Sequence, residues 1–367
     1  MEQRASLRAT ISSQIRIATL NRSLWSIGML RSAVGAYWSV RTNQHGRAPS
    51  PLAVAWYVTH ACPEQCDFCN VSRALEVEYP HLELSKACDV VDRVINSTQV
   101  FALGGGEPMA YPHIVPLIKH IKSRNGRVFI VTSGTTLSRS KAKELCAADP
   151  EMLMFSMLGD EKTHDMRMGR AGAFQRLISS IQTVLEFRVN SRVILNCAIG
   201  PLDTDSIPQV INISKNLGVD ALRFSWLSFM TDSENSVEPV AEPYHIVEPG
   251  TVNSSEWLNG FQRLSKLRKH IGKAENGFVQ FLPHLSDSEL RNWFLGAGVS
   301  RTCLSLWHTL FLRPDGTIVP CGHMQSTHLG NIQSQSLESI WNGETLSSLR
   351  LSQRQNPFQM CGRCCKI

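Results

Sequence analysis

Strand-like and helix-like runs alternate six times between residues 52 and 227, and this alternation predicts an α/β fold. Strict β/α alternation implies a parallel sheet with helices covering it. Two further observations frame that core. An arginine-rich segment with helical apolar spacing precedes it, and a cysteine-bearing segment follows it. The expected organisation is a basic helical arm over 1–50, an α/β core over 51–230, connecting loop and helices over 231–300, and a small cysteine-rich unit over 301–367.

The expected strands are 52–58, 100–103, 128–132, 152–158, 193–199 and 222–227, each a short apolar run. Helical spacing marks 85–97, 113–124, 138–147, 172–187 and 205–217 between them. The acidic, proline-containing stretch 228–250 reads as a loop. Helices over 255–272 and 287–296 follow it. Residues 309–321 read as a hairpin turning at Pro314-Asp315-Gly316.

A chain of 367 residues suggests one large domain or two smaller ones, and 43% apolar content is ample for a core. No run of eighteen apolar residues predicts a membrane-crossing helix. No secretory pattern appears, so a cytoplasmic location is expected. Eleven cysteines in such a chain argue for metal ligands rather than disulfides.

Charge is concentrated at one end. Residues 1–50 hold seven arginines, no lysine and one acid, Glu2, which is the whole net charge of +6. Residues 51–367 balance at 30 basic and 30 acidic, which argues against general nucleic-acid binding. Leu24, Ile27, Leu30, Val34 and Tyr37 recur at helical spacing, as do Leu7, Ile11 and Ile15. The arm therefore reads as amphipathic helices packing on the core, lying peripherally on a membrane, or forming a transit peptide.

Cys62, Cys66 and Cys69 follow the first strand with x3-then-x2 spacing. Three thiolates on one loop can converge on one metal centre, and three ligands on a [4Fe–4S] cluster leave one iron open for chemistry. The alternatives are half of a zinc site or reduced core thiols. Gly104-Gly105-Gly106-Glu107-Pro108 follows the second strand, about 35 residues beyond Cys69. Glycines there allow close backbone approach, and Glu107 adds an acceptor. A second group, Cys303, Cys321, Cys361 and Cys364, can close a tetrahedral zinc site or a fully ligated cluster. Cys88, Cys146 and Cys197 read as buried small hydrophobes.

These motifs, with Phe68 just before the third cysteine, resemble the radical S-adenosylmethionine (SAM) enzymes over about residues 52–364. The resemblance implies a partial (β/α)6 TIM-like barrel with ligands at the C-terminal ends of its strands. It implies a [4Fe–4S] cluster on Cys62, Cys66 and Cys69 that binds SAM. Gly104, Gly105, Gly106 and Glu107 would hold the SAM amino end, Ser156 its carboxylate, and Phe68 would pack near the adenine. Ser133, where members often carry Asn, and Asn196 are further cofactor contacts. Leu158 stands where an acid is usual. Met168 stands where an arginine is usual, with Arg167 and Arg170 beside it.

The pattern from Cys303 to Cys364 resembles the C-terminal extension called SPASM, in the abbreviated form called twitch, with one auxiliary [4Fe–4S] cluster. Zinc is the alternative there, and Cys365 can replace Cys364 as ligand. Sulfatase-maturing relatives carry an Asp after a SPASM cysteine as base, whereas Gly322 and His323 follow Cys321. No catalytic acid or base is therefore assigned, although His323 can take a proton.

The expected function is reductive cleavage of SAM to a 5′-deoxyadenosyl radical and hydrogen abstraction from a small natural-product-type substrate. The outcome would be oxidation, epimerisation or C–C/C–X bond formation, aided by the auxiliary cluster. An electron donor such as flavodoxin or ferredoxin is implied. The alternatives are maturation of a ribosomally made peptide, nucleic-acid modification, and a non-catalytic metal scaffold.

Overall fold

The computed structural model describes residues 27–69, 80–231, 246–247, 251–252, 254–275 and 277–364. The apolar positions Leu7, Ile11, Ile15 and Leu24 of the arm lie outside them, as does Cys365 and most of the expected loop 228–250.

Helix α1 (Ile27–Thr42) leads to strand β1 (Ala53–Thr59). Five β/α repeats follow. They are α2 (Leu84–Val94) with β2 (Val100–Gly105), α3 (Ile114–Ser123) with β3 (Arg127–Thr132), and α4 (Arg139–Ala147) with β4 (Met152–Ser156). Then come α5 (Glu161–Met168), α6 (Ala173–Phe187) and β5 (Arg192–Ile199), and α7 (Ile207–Leu217) with β6 (Ala221–Trp226). All six strands pair in parallel and in chain order.

The pleat explains why these runs work as strands. Val54, Trp56 and Val58 on β1, and Leu222 and Phe224 on β6, are at most 2% exposed and face the helices. The residues between them face the other way, into a lumen open enough that Val131 on β3 is 41% exposed. Helix α5 lies outside the helices expected from the sequence. It is polar, and its ends set it: Asp160 accepts from Thr163 N at 2.9 Å, and Gly169 closes it with φ +63°.

The sheet extends beyond six strands. Two-residue strands β7 (Met230–Thr231) and β8 (Ile246–Val247) pair with each other. After α8 (Ser255–Ala274), β9 (Val279–Leu282) adds in parallel to β6. Four residues are too few to show a period, so the sequence reading found only loop and helix there. Helix α9 (Asp287–Leu295) starts on a capping box between Ser286 and Glu289. Helix α10 (Ser305–His308) then feeds β10 (Thr309–Leu312), which pairs in parallel with β1 on its free edge, Ala53 opposite Thr309. Strands β11 (Thr317–Val319) and β12 (Gly330–Asn331) continue antiparallel. The result is one mixed, mostly parallel ten-stranded sheet, with the cysteine-rich segment joined to the barrel through β10.

Helices α11 (Leu337–Trp341) and α12 (Glu344–Gln355) hold the arm. Asn342 exchanges two hydrogen bonds with Ala48, and Trp341 Nε1 donates to Pro49 O at 2.7 Å. Arg354 donates to Val40 O and Asn43 O. Arg350 is fully buried, stacks 4.3 Å over Trp341 and donates to Gly46 O. Burial pulls its guanidinium down to about 9. Helix α1 docks through Ala36 and Val40, with Gly35 against Pro49. Val34, on the apolar stripe read from the sequence, faces solvent with Trp38. No helix among the described residues is long and apolar enough to cross a membrane.

Candidate active site at the rim of the barrel

The cysteine loop leaves β1 at the C-terminal rim, and two neighbours grip it. On one side, Gly106 N donates to Thr59 O at 2.8 Å and Glu107 N to Ala61 O at 2.9 Å. On the other, Gln65 N and Asp67 N donate to Met168 O and Arg167 O at the end of α5. The glycine triplet divides its work. A Cβ on Gly106 would stand 2.4 Å from Ala61 O, and one on Gly105, at φ +118°, 2.4 Å from Thr59 O. These two glycines let β2 meet the root of the loop. Gly104 differs, since a Cβ there would meet nothing within 4 Å, so its backbone is the part open to a ligand.

Glu107 is 1% exposed and accepts four hydrogen bonds, from Met109 N, Thr132 Oγ1, Ser133 N and Ser133 Oγ, at 2.6–2.9 Å. Burial pushes its carboxyl up from the usual range, while those donors favour the charged form. Its carboxylate thus binds the β3 end to the β2 end, and Ser133 is placed by it. Ser156 ends β4 in register with Asn196 on β5, and Asn196 accepts from Ser225 Oγ at 2.7 Å. The turn after Ser156 is held by Met157 N on Asn196 O and by Leu158 N on His164 Nδ1 at 3.1 Å. Burial lowers His164 to about 4, which keeps it neutral and able to accept.

The three loop thiols sit within one short stretch, with Cys69 N donating to Cys66 O at 3.2 Å. Their side chains take protein partners. Cys62 Sγ donates to Glu64 Oε2 at 3.3 Å, and Cys66 Sγ lies 3.2 Å from Met168 Sδ. Among the described residues no three His, Cys, Asp or Glu side chains are gathered at ligating distance. Burial pushes the Cys66 thiol up to about 12 and raises the Cys62 thiol as well. A metal centre would hold them as thiolates, its positive charge offsetting theirs. A soft, sulfur-only donor set on one loop, beside a glycine backbone open to a ligand, fits an iron–sulfur cluster with one exchangeable position.

Glu64 was not anticipated. It is 2% exposed, bonded to Thr135 Oγ1 and paired with Arg170 at 3.2 Å. Its place inside the cysteine loop was the only signal in the sequence. Arg167 donates to Ala198 O and Asp203, and its guanidinium stands 4.9 Å over the Phe68 ring. Phe68 therefore packs between Arg167 and the Leu158–Met168 cluster.

In the second cysteine group, Cys303 precedes α10 and Cys321 follows β11. Cys321 packs with Cys361, Met324 and Phe358, and Cys303 lies close enough to raise the Cys321 thiol further. Burial is the larger cause and brings Cys321 to about 12. Cys364 N donates to Cys361 O at 3.2 Å, so one turn carries both. Val299 N holds that turn through Gly362 O at 2.7 Å, and Arg363 donates to Trp293 O. His323, half-buried, sits two residues past Cys321. Of the remaining cysteines, Cys146 and Cys197 are buried as expected, whereas Cys88 is partly exposed on α2.

Tyr57 links the two groups. It faces the lumen on β1, its ring meets His60 edge-on at 6.1 Å, and its hydroxyl lies against Gly322. A Cβ on Gly322 would stand 2.6 Å from Tyr57 Oη but 3.7 Å from Cζ. Gly322→Ala is expected to cost about 1–2 kcal/mol in urea melts, and Tyr57→Phe in the same chain to restore most of it. Equal loss in both variants would show that the contact does not decide glycine at 322.

Comparison with known proteins agrees with the geometry. A family profile described as the radical SAM superfamily matches residues 56–212, and one described as an iron–sulfur cluster-binding domain, SPASM, matches residues 303–365. The chain is 24% identical to the AdoMet-dependent heme synthase of Methanosarcina barkeri over 321 residues, 86% of this chain and 88% of that protein. It is 29% identical to the PqqA peptide cyclase of Rhodopseudomonas palustris over 178 residues, 47% of this chain and about half of that one, 46%. The structure of Streptococcus suis SuiB bound to S-adenosylmethionine superposes with a TM-score of 0.63 at 16% identity, covering 92% of this chain and 78% of SuiB. The two profiles together span more than half of the sequence, and both fall where the two cysteine groups lie. The chain belongs to the radical SAM superfamily, as an enzyme that binds a [4Fe–4S] cluster and SAM in its barrel and carries a SPASM iron–sulfur domain at its C-terminal end.

Proposed function

We propose that this enzyme abstracts a hydrogen atom from a small natural-product-type substrate held in the barrel lumen. The observation that carries this reading is the clasp between the Gly104–Glu107 turn and the root of the cysteine loop, which sets both over the open lumen. Bound at that rim, the cluster and SAM supply a 5′-deoxyadenosyl radical on one-electron reduction. Cys62, Cys66 and Cys69 would hold the cluster, and the Gly104 backbone, Ser133 and Ser156 would receive the methionyl end of SAM. Asn196, fixed by Ser225, would present its amide to the cofactor, and Phe68 would border the site. Tyr57, Val131 and Met154 would line the lumen beside that site. Cys303, Cys321, Cys361 and Cys364 would hold one auxiliary cluster below Tyr57, placed to receive an electron from the lumen.

The likeness to heme synthase over most of both chains supports a small-molecule substrate. Likeness to PqqA peptide cyclases favours a second reading, modification of a ribosomally made peptide. A cytoplasmic location, a flavodoxin- or ferredoxin-type donor, and peripheral membrane contact by the arm belong to the same proposal. Support for the last is the arm's charge and its outward Val34 and Trp38. The test uses an extract of host cells grown in heavy water, split by ultrafiltration into small-molecule and peptide fractions. Iron-loaded, reduced enzyme with SAM should yield deuterated 5′-deoxyadenosine from the small-molecule fraction. Deuterium transferred from the peptide fraction alone would replace the first reading by the second.

A further inference from the structure

Glu64 lies inside the cysteine loop, and the metal-ligand motif does not use it. Its Oε1 accepts from Thr135 Oγ1 and from Arg170 Nη1 at 3.2 Å. Its Oε2 faces the first ligand of the rim group, with Cys62 Sγ donating to it at 3.3 Å. The surroundings fix this arrangement. Gln65 N, on the next residue, donates to Met168 O at 3.1 Å, and a Cβ on Gly169 would stand 2.9 Å from Gln65 O. The loop is thus clamped on the end of α5 beside Glu64. Swinging the carboxylate away would break its bonds to both Thr135 and Arg170.

The contact between Cys62 and Glu64 changes character when iron binds. A ligating sulfur is a thiolate and has lost the proton that Cys62 donates here. The carboxylate is an acceptor only. Two anionic acceptors then face each other where a hydrogen bond stood. Met168 Sδ stands in the same way 3.2 Å from Cys66 Sγ, and a thioether has no donor either. Met168 is neutral, however, whereas Glu64 is charged. Its counter-ion Arg170 binds the far oxygen and has a side chain 35% exposed, against 1% for Glu64. Water therefore screens the cation more than the carboxylate that touches Cys62.

We propose that Glu64 tunes the rim cluster, its buried carboxylate lowering the reduction potential through Cys62. The proposal rests on the radical SAM reading of the site and concerns how that site takes up its electron. A negative charge beside a ligand sulfur opposes an added electron, whereas a hydrogen-bond donor to that sulfur favours it. The electron comes from an outside one-electron carrier and passes to the sulfonium of SAM. There the C5′–S bond breaks, giving methionine and the 5′-deoxyadenosyl radical. A lower potential makes the uptake harder and the transfer to SAM more favourable.

The test is a dithionite titration followed by electron paramagnetic resonance. It compares wild type, Glu64→Gln and Arg170→Gln, each loaded with iron and sulfide and matched in iron content. The rim signal is the one that S-adenosylhomocysteine alters. Glu64→Gln keeps the shape, leaves an oxygen for Thr135 and Arg170, and turns an N–H toward Cys62. It should raise the midpoint, so that the ratio of reduced to oxidised cluster at the wild-type midpoint rises about tenfold, or roughly 59 mV for one electron. Arg170→Gln removes the counter-ion, keeps the carboxylate and should lower the midpoint. Opposite shifts distinguish tuning from a loosened loop, which would move both variants the same way. An unmoved midpoint in Glu64→Gln, or shifts of one sign in both, would overturn the proposal. Should Glu64→Gln hold no iron, Arg170→Gln decides alone, and a midpoint at or above that of wild type overturns it. A wild-type protein without a reducible iron signal that responds to S-adenosylhomocysteine would instead overturn the reading of the site on which the proposal rests.

Discussion

Replacing Cys62, Cys66 and Cys69 together by alanine is expected to remove about four iron atoms per chain and all formation of 5′-deoxyadenosine. The three thiols lie on the loop that the Gly104–Glu107 turn grips. The second group lies on the segments that flank β10 and β11 and packs on Met324, Phe358 and Val299. Iron held there should survive the triple substitution. The reciprocal change, Cys303, Cys321, Cys361 and Cys364 to alanine, should leave the rim iron and SAM cleavage in place while turnover of substrate is lost. Iron and sulfide counts with mass spectrometry of the nucleoside products read both arms. Persistence of 5′-deoxyadenosine in the triple variant would sink the assignment of the first group. Zinc in place of iron in the second would return that group to a structural role.

The glycine triplet should split into a folding position and a binding position. Gly106→Ala is expected to destabilise the chain by about 3 kcal/mol, because its Cβ would meet the backbone of Ala61 at 2.4 Å and of His60 at 2.6 Å. Backbone carbonyls of a strand end cannot step aside as a side-chain tip can. The cysteine loop is rooted at those same residues, so iron loading should fall with stability. Gly104→Ala meets nothing within 4 Å and should melt as wild type does, yet lose affinity for SAM, since the new methyl group enters the open side of the turn. Thermal melts and S-adenosylhomocysteine calorimetry on the two variants separate these effects. A stable, iron-loaded Gly106→Ala protein would contradict the packing argument, and unchanged SAM affinity in Gly104→Ala would move the cofactor away from that backbone.

Much of this site was legible in the sequence because its parts are local. Cys62-x3-Cys66-x2-Cys69 and Gly104–Pro108 are short motifs, each at the end of an apolar run whose periodicity is also local. Roles within the motifs were less legible. Glu107 reads as a ligand for the cofactor, yet in the fold it first ties Ser133 and Thr132 to the β2 end. Gly105 and Gly106 read as ligand-approach glycines, yet they admit the neighbouring strand. Such roles depend on which backbone lies alongside, and adjacent strands here are separated by tens of residues.

The six-strand alternation, the two cysteine groups and the basic arm follow from the amino-acid sequence by itself, because burial period, turn chemistry and ligand spacing are properties of neighbours along the chain. Only the tertiary structure decided that β10 closes onto β1, that β9 extends the far edge, and that Arg350 and Asn342 stitch the arm to the C-terminal helices some 300 residues away. It also decided that Ser156, Asn196, Arg223 and Gln280 share a rung. Those outcomes rest on sheet register and on buried donors finding distant acceptors, which the chain settles only when the whole core is packed.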